Sequence, residues 1–279
     1  MKAQKKSFFL VAGFLKPHLP FNAPAKYWEM YDRSKITPPV NNKFPTTAYK
    51  GAGNWYELSK YKGIQKDYSD NPSLNATTFT MDAEMTINLI HGYYACVSYI
   101  DQQIGNVLLA LDDLGLSEDT IVIITSDHGF SLSEHNRWSK HNLFKLENHV
   151  PLFIRVPGYS NYGKSDSFAE LIDLYPTICE LLDIEKPKQL EGMSLVENIK
   201  NPNLISKTSA YSRYTNGDMY ISDNYAYSEW KYSEEGKIVG RMLYNMKNDP
   251  LQMENLSHLE KYKTLMDSLS NNIKSKKIY

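Results

Sequence analysis

The stretch TSDHGFSLSEHNRWSKHNLF, residues 125–144, sets Asp127 and His128 directly after the apolar run TIVIITS and follows them with Arg137, Lys140 and His141. A carboxylate beside an imidazole can hold a divalent cation, and Gly129 lets the backbone turn closely behind the pair. Asp127 capping a turn and His128 bonding locally is the other reading, since two donors are too few for such a cation. Lys140 is a point charge suited to a sulfate or phosphate oxygen, His141 can carry a proton, and Arg137 is a further candidate anion contact. A solvated polar loop would have the same composition.

A second cluster, Lys16-Pro17-His18, lies in LKPHLPFNAPAKYW, where Pro17, Pro20 and Pro24 stiffen the chain. Ligands of open α/β sheets bind beyond the carboxyl ends of strands, where loops from separate strands converge. Lys16 and His18 are therefore expected to meet Lys140. His91, in HGYYACVSYID, is a further candidate, although a histidine on a tyrosine-rich helix face is more often structural.

Positioning these groups requires a frame. SFFLVAGF (7–14) reads as a buried strand ahead of the Lys16 loop. Met85, Leu89, Tyr93, Val97, Ile100, Ile104, Leu108 and Leu111 recur at helical spacing, predicting a long helix over 82–114 with an inward stripe and Gly115 near its end. TIVIITS (120–126) and PLFIRVPG (151–158) read as strands buried on both faces, as in a parallel sheet. FAELIDLYPTICELLDI (167–183) reads as a helix started or broken at Pro176. Strand, long helix, strand, then strand and helix gives an α/β domain over 1–200. Alternating tyrosines after 205 predict antiparallel strands with one wet face, and a helix ends the chain, making 201–279 a smaller subdomain. Residues 32–80 lack periodicity and read as a surface excursion beside a site.

Apolar residues are 42% and charged residues 23% of the 279, and the formal net charge is -1. That balance gives no general attraction to nucleic acid or acidic membranes, so anion recognition must be local. No apolar run is long enough for a membrane span. Cys96 and Cys179 sit in apolar periodic segments and read as core thiols.

GFLKPHLPFNAPAKYWEMYD, HGYYACVSYIDQQIGNVL, SDHGFSLSEHNRWSKHNLF, VPLFIRVPG, DLYPTICELL, EGMSL and LYNMKNDPLQMENL, in this order, resemble the sulfatases of the alkaline-phosphatase-like superfamily, in the branch containing iduronate-2-sulfatase. The resemblance implies an α/β mixed sheet flanked by helices, a bound Ca²⁺ (or Mg²⁺), and hydrolysis of a sulfate monoester on a uronic acid or other sugar of a sulfated polysaccharide. It implies that Asp127 and His128 contribute to the metal site. Catalysis falls to Lys140, His18 and His91, and substrate contacts to Lys16, His18, His141 and Arg137. It further implies a periplasmic or secreted location.

The family also carries an N-terminal acidic pair and a Cys or Ser in a C/S-x-P-x-R context that becomes formylglycine. Neither Cys96 nor Cys179 has that context, and no serine does. The resemblance is therefore read as covering a C-terminal portion only, a fragment with the N-terminal part of the fold missing. Such a chain is expected to be inactive alone and to need the missing portion or a companion chain. A non-catalytic binder of sulfated glycans and a phospho- or phosphonate monoester hydrolase are the alternatives.

Overall fold

The computed structural model describes residues 6–53, 58, 77, 80–160, 162–232 and 236–276. The short helix α1 (Ala25–Trp28) follows the proline-stiffened loop, and the long helix α2 spans Ala83–Asp113. Strand β1 (Val122–Thr125), helix α3 (Lys145–Asn148) and strand β2 (Leu152–Arg155) come next. Helices α4 (Leu174–Leu181) and α5 (Val196–Lys200) lead to β3 (Ser209–Tyr214), β4 (Gly217–Ser222), β5 (Tyr225–Lys231) and β6 (Ile238–Asn245), and α6 (Lys263–Ser275) follows.

Helix α2 begins where Asp82 accepts a hydrogen bond from the Met85 amide, a side-chain cap, and runs out at Gly115, whose φ of 59° suits glycine. Burial is uneven along it. Leu89, Ile90, His91, Ala95 and Cys96 are buried, while of the later stripe residues Val97 is exposed and Ile100, Ile104, Leu108 and Leu111 are half-buried, so the expected inward stripe is covered most fully over the first half. That half is covered by α1 and the loops around it.

Phe21, Tyr27 and Ile36 are buried, with Phe21 and Ile36 in one cluster with Leu89, Ile90, Cys96 and Trp138. The expectation of a fold without its N-terminal part is thereby corrected. The segment before α2 is folded against that helix, because its aromatic residues have apolar partners there. Residues 54–57 and most of 59–79, within the expected surface excursion, lie outside the described residues.

Three further expectations change. Residues 7–14 form no strand among the described residues, and Phe9, Leu10 and Val11 are exposed. An apolar run supplies β propensity, but a ladder needs a neighbouring strand. β1 and β2 pair antiparallel, with Val122 opposite Arg155 and Thr125 opposite Leu152, and β2 is only half buried. The C-terminal sheet, ordered β3-β4-β5-β6, has no wet face. Met219, Ala226, Trp230 and Met242 pack on Leu143 and Phe144 on one side, and Tyr227 and Leu243 pack on Met266, Leu269 and Ile273 of α6 on the other.

That first contact joins the C-terminal sheet to the loop after β1. Thr47 and Asn255 strengthen the junction: the Asn255 amide donates to the Thr47 carbonyl at 2.7 Å and the Thr47 hydroxyl donates to the Asn255 carbonyl at 3.4 Å. Both cysteines are free and buried, as core thiols should be.

Candidate functional site

The loop after β1 folds back on itself. The Ser131 amide donates to the Ser139 carbonyl at 3.0 Å and the Ser133 amide to the Arg137 carbonyl at 2.9 Å, making a hairpin with Glu134, His135 and Asn136 at its tip and Lys140 at its base. Phe130 at its start packs edge-on against Phe21 at 5.8 Å and stacks with Tyr93 at 6.1 Å; Phe21 meets Tyr93 edge-on at 5.4 Å. These three rings fix the Lys16–His18 loop, α2 and the hairpin to one another. Burial of aromatic surface, not direct bonding between the polar groups, positions the site.

The result is a contact between the two clusters. Lys140 Nζ lies 3.0 Å from His18 Nε2. His18 Nδ1 lies 2.7 Å from the Leu19 carbonyl, which can only accept, so Nδ1 bears the proton and Nε2 accepts from the lysine. This geometry fits the Nδ1–H tautomer of His18, with Nε2 facing the lysine ammonium. Lys16 is turned back on its own loop, donating to the carbonyls of His18 and Pro20, so in this state it holds the loop's shape.

Asp127 and His128 sit just past β1. Asp127 Oδ1 accepts from the His128 amide at 3.0 Å, and His128 Nδ1 lies 2.7 Å from the Gly129 carbonyl. That leaves His128 Nε2 3.6 Å from Asp127 Oδ2, with the Asp127 side chain 84% exposed. One carboxylate and one imidazole do not make the six to eight oxygens that Ca²⁺ takes. Among the described residues no group of three or more His, Cys, Asp or Glu could hold a metal ion. The donor set therefore does not fit a complete Ca²⁺ or Mg²⁺ site, and no chemical step is derived through one.

The remaining candidates lie elsewhere. Arg137 is wholly buried: its Nε meets Glu147 Oε1 at 3.1 Å and its Nη1 donates to the Ala52 carbonyl. Burial lowers its pKa and the Glu147 carboxylate opposes that shift. Ser131 also donates to Glu147, so this is an internal tie that stiffens the hairpin. His91 is taken into the α1–α2 contact, with Nε2 2.8 Å from the Trp28 carbonyl and its ring 4.8 Å from that of Trp28. The His141 ring lies 5.3 Å from that of Tyr214 at the end of β3, bringing the C-terminal sheet up to the residue beside Lys140.

Sequence reading did not single out Glu147, Tyr214 or His135. A carboxylate ten positions after Arg137, between two apolar strands, is a signal that could have found Glu147. His135 is stacked on Phe144 at 4.0 Å and its Nε2 lies 2.8 Å from the Leu251 carbonyl. Burial holds its pKa below the ordinary value, and burial likewise raises that of Glu134.

Known proteins are similar to this chain in sequence and in fold. The family model "Sulfatase" matches residues 1–184, and the model "N-sulphoglucosamine sulphohydrolase, C-terminal" matches residues 133–278. A sulfatase of Formosa agariphila is 27% identical over 270 residues, covering 96% of this chain and 50% of its own length. The iduronate 2-sulfatase of Mus musculus is 27% identical over 345 residues, covering 96% of this chain and 61% of its own. A protein solved in complex with its substrate D-glucosamine-2-N,6-O-disulfate superposes with a TM-score of 0.74 at 18% identity, over 93% of this chain and 63% of its own.

The chain thus spans about half to three-fifths of the length of these curated relatives. Within the chain, however, the family match starts at residue 1. This corrects the expectation that only a C-terminal portion of the family pattern is present. The two models together leave one residue unmatched, and on that match the chain belongs to the sulfatase family of hydrolases.

Proposed function

We propose that the Lys140–His18 site acts on a sulfate monoester of a sugar, with a sulfated oligosaccharide as the substrate class. The observation that carries this is the 3.0 Å contact between two residues 122 positions apart, a lysine ammonium facing a histidine ring nitrogen. The relatives' names support the sugar sulfate: iduronate 2-sulfatase among the curated proteins, and a glucosamine disulfate substrate for a protein of the same fold.

Lys140 offers its charge to a sulfuryl oxygen, a charge-assisted contact stronger than the one it makes to a neutral imidazole. Its departure uncovers His18 Nε2 toward the ester. As a water molecule bonds to sulfur and the S–O bond to the sugar breaks, that nitrogen would take a proton from the attacking water and pass it to the leaving alcohol oxygen, giving inorganic sulfate and the free alcohol. Lys16, on the same loop, is placed to add a second positive charge if it releases its backbone carbonyls. Ca²⁺ and formylglycine are the family's usual partners in this chemistry, and neither enters the steps assigned to this chain.

One observation favours a second reading, binding without turnover: Cys96 and Cys179 are buried and neither is followed by x-Pro-x-Arg. Calorimetric titration with a sulfated disaccharide and its desulfated counterpart tests the site itself. Affinity for the sulfated form, lost in Lys140→Met, is the expected result, and equal affinity for both forms would overturn it. Inorganic sulfate release then separates the readings, with none expected from these 279 residues alone. Release would show that another group serves as nucleophile. Faster release from an aryl phosphonate or phosphate ester would redirect the substrate class.

A further inference from the structure

A cavity of about 440 Å³ opens at the far end of the Lys140 hairpin. Asn42, Lys43, Thr46, Lys50, Thr80 and Asn136 line it, and among the described residues none of its walls is acidic. In a chain of net charge -1, two lysines with amide and hydroxyl groups around one opening make a local anion preference. The volume suits a small polar ligand.

The backbone beneath it is strained in a way that propensity does not explain. Ser133, His135 and Asn136 all have positive φ, 82°, 51° and 54°, and none is glycine. Such conformations persist only where surroundings enforce them, and they gather at ligand-handling sites. Here the enforcement is visible. The His135 amide donates to the Asn41 carbonyl at 2.6 Å, the His135 ring is fixed by Phe144 and the Leu251 carbonyl, and Asn136 is turned to the cavity wall.

The opposite wall is tied to the same hairpin. Arg137 Nη1 and Asn142 Nδ2 both donate to the Ala52 carbonyl, two residues after Lys50. Asn136 and Lys140 are four residues apart, so their backbones lie within about 14 Å even if fully extended. Cavity and Lys140 are therefore two stations on one rigid element, within reach of a single oligosaccharide.

Resting on the sugar-sulfate reading of Lys140, we infer that this cavity is a second subsite, taking the carboxylate or sulfate of a sugar unit other than the one that loses its sulfate. Lys43 and Lys50 would meet the anionic oxygens, and Asn42, Thr46 and Asn136 the neighbouring hydroxyls.

The test is calorimetric titration of the full chain with a sulfated glucosamine monosaccharide and a sulfated tetrasaccharide, using wild type, Lys43→Gln/Lys50→Gln, Asn136→Gly and Lys140→Met. Glycine keeps the positive φ at 136, so that variant removes the side chain alone. The double variant is expected to weaken the tetrasaccharide about five- to tenfold, the size of two exposed charge contacts, and to leave the monosaccharide unchanged. Asn136→Gly is expected to act in the same direction. An unsulfated, uronate-bearing tetrasaccharide that keeps the lysine dependence identifies a carboxylate as the ligand group, and loss of that dependence identifies a sulfate.

Equal weakening of both sugars, or of neither, overturns the subsite, as does a wild type that binds no tetrasaccharide. If Lys140→Met abolishes monosaccharide binding while the double variant changes nothing, the sugar-sulfate reading stands and the subsite falls. If only the double variant matters, the subsite stands and that reading falls.

Discussion

Lys140 Nζ sits on Nε2 of His18 at 3.0 Å, while Nδ1 of the same ring lies 2.7 Å from the Leu19 carbonyl, so one imidazole links the hairpin after β1 to the proline-stiffened loop. Lys140→Met keeps the length of the side chain and removes its charge. Affinity for a sulfated disaccharide is expected to fall about tenfold or more, the size of a hydrogen bond to a charged group. Both residues are partly exposed, so the urea midpoint should barely move. Nitrogen-15 NMR of His18 should show the Nδ1–H tautomer before ligand and a change at Nε2 on titration with the sulfated sugar.

Arg137→Met tests whether the buried guanidinium is internal. Removing one partner leaves Glu147 buried without its cation, a cost of about 3–5 kcal/mol in urea unfolding. Arg137→Met/Glu147→Met should recover much of that loss. An Arg137 that instead contacts the sugar would lose affinity with little change in stability.

Gly129 marks a close approach. A Cβ there would collide with the Leu146 carbonyl, and the Gly129 amide donates to the Glu147 carbonyl at 2.8 Å. Gly129→Ala must push α3 from the β1 loop, at a cost of about 1–3 kcal/mol. Because His128 Nδ1 uses the Gly129 carbonyl, the His128 ring resonances should shift as well.

Asp218 predicts a pH dependence. Burial opposes its ionised form, but the hydrogen bonds from Arg213 and Tyr211 and the charges of Arg213 and Lys231 outweigh burial and hold the carboxyl below its usual value. A depressed folded pKa contributes stability that is present above the unfolded value, about 3.9, and lost as pH falls through the folded one. Asp218→Asn should therefore cost about 2–4 kcal/mol at pH 7 and progressively less below pH ~4. Parallel pH profiles for wild type and variant would show that the carboxylate is unpaired in solution.

Much of this was legible in the sequence where chemistry and periodicity agreed. The three- and four-residue spacing and Gly115 outlined α2, and the strand-end rule brought Lys140 to His18. What stayed hidden depends on the surface that each residue meets. Arg137 and His91 carry reactive groups, yet Glu147 and Trp28 absorb them, and those partners are ten and 63 positions away. The tyrosine alternation of β3–β6 predicts a half-wet sheet only until α6 places Met266, Leu269 and Ile273 over it. Residues 7–14 show the converse, a strand-like run with no strand beside it among the described residues.

The shared cluster of Ala48, Ala52, Leu143 and Phe144 with Met219, Trp230 and Met242 bears on how the chain responds to cutting. The stretch around Tyr162, itself 89% exposed, is open to proteases. A nick there would sever the covalent path between the Lys140 hairpin and β3–β6, yet the Leu143–Trp230 packing and the Thr47–Asn255 pair cross the break. The two pieces should elute together from a sizing column and part only in denaturant, with the Lys140–His18 contact carried whole on the first of them.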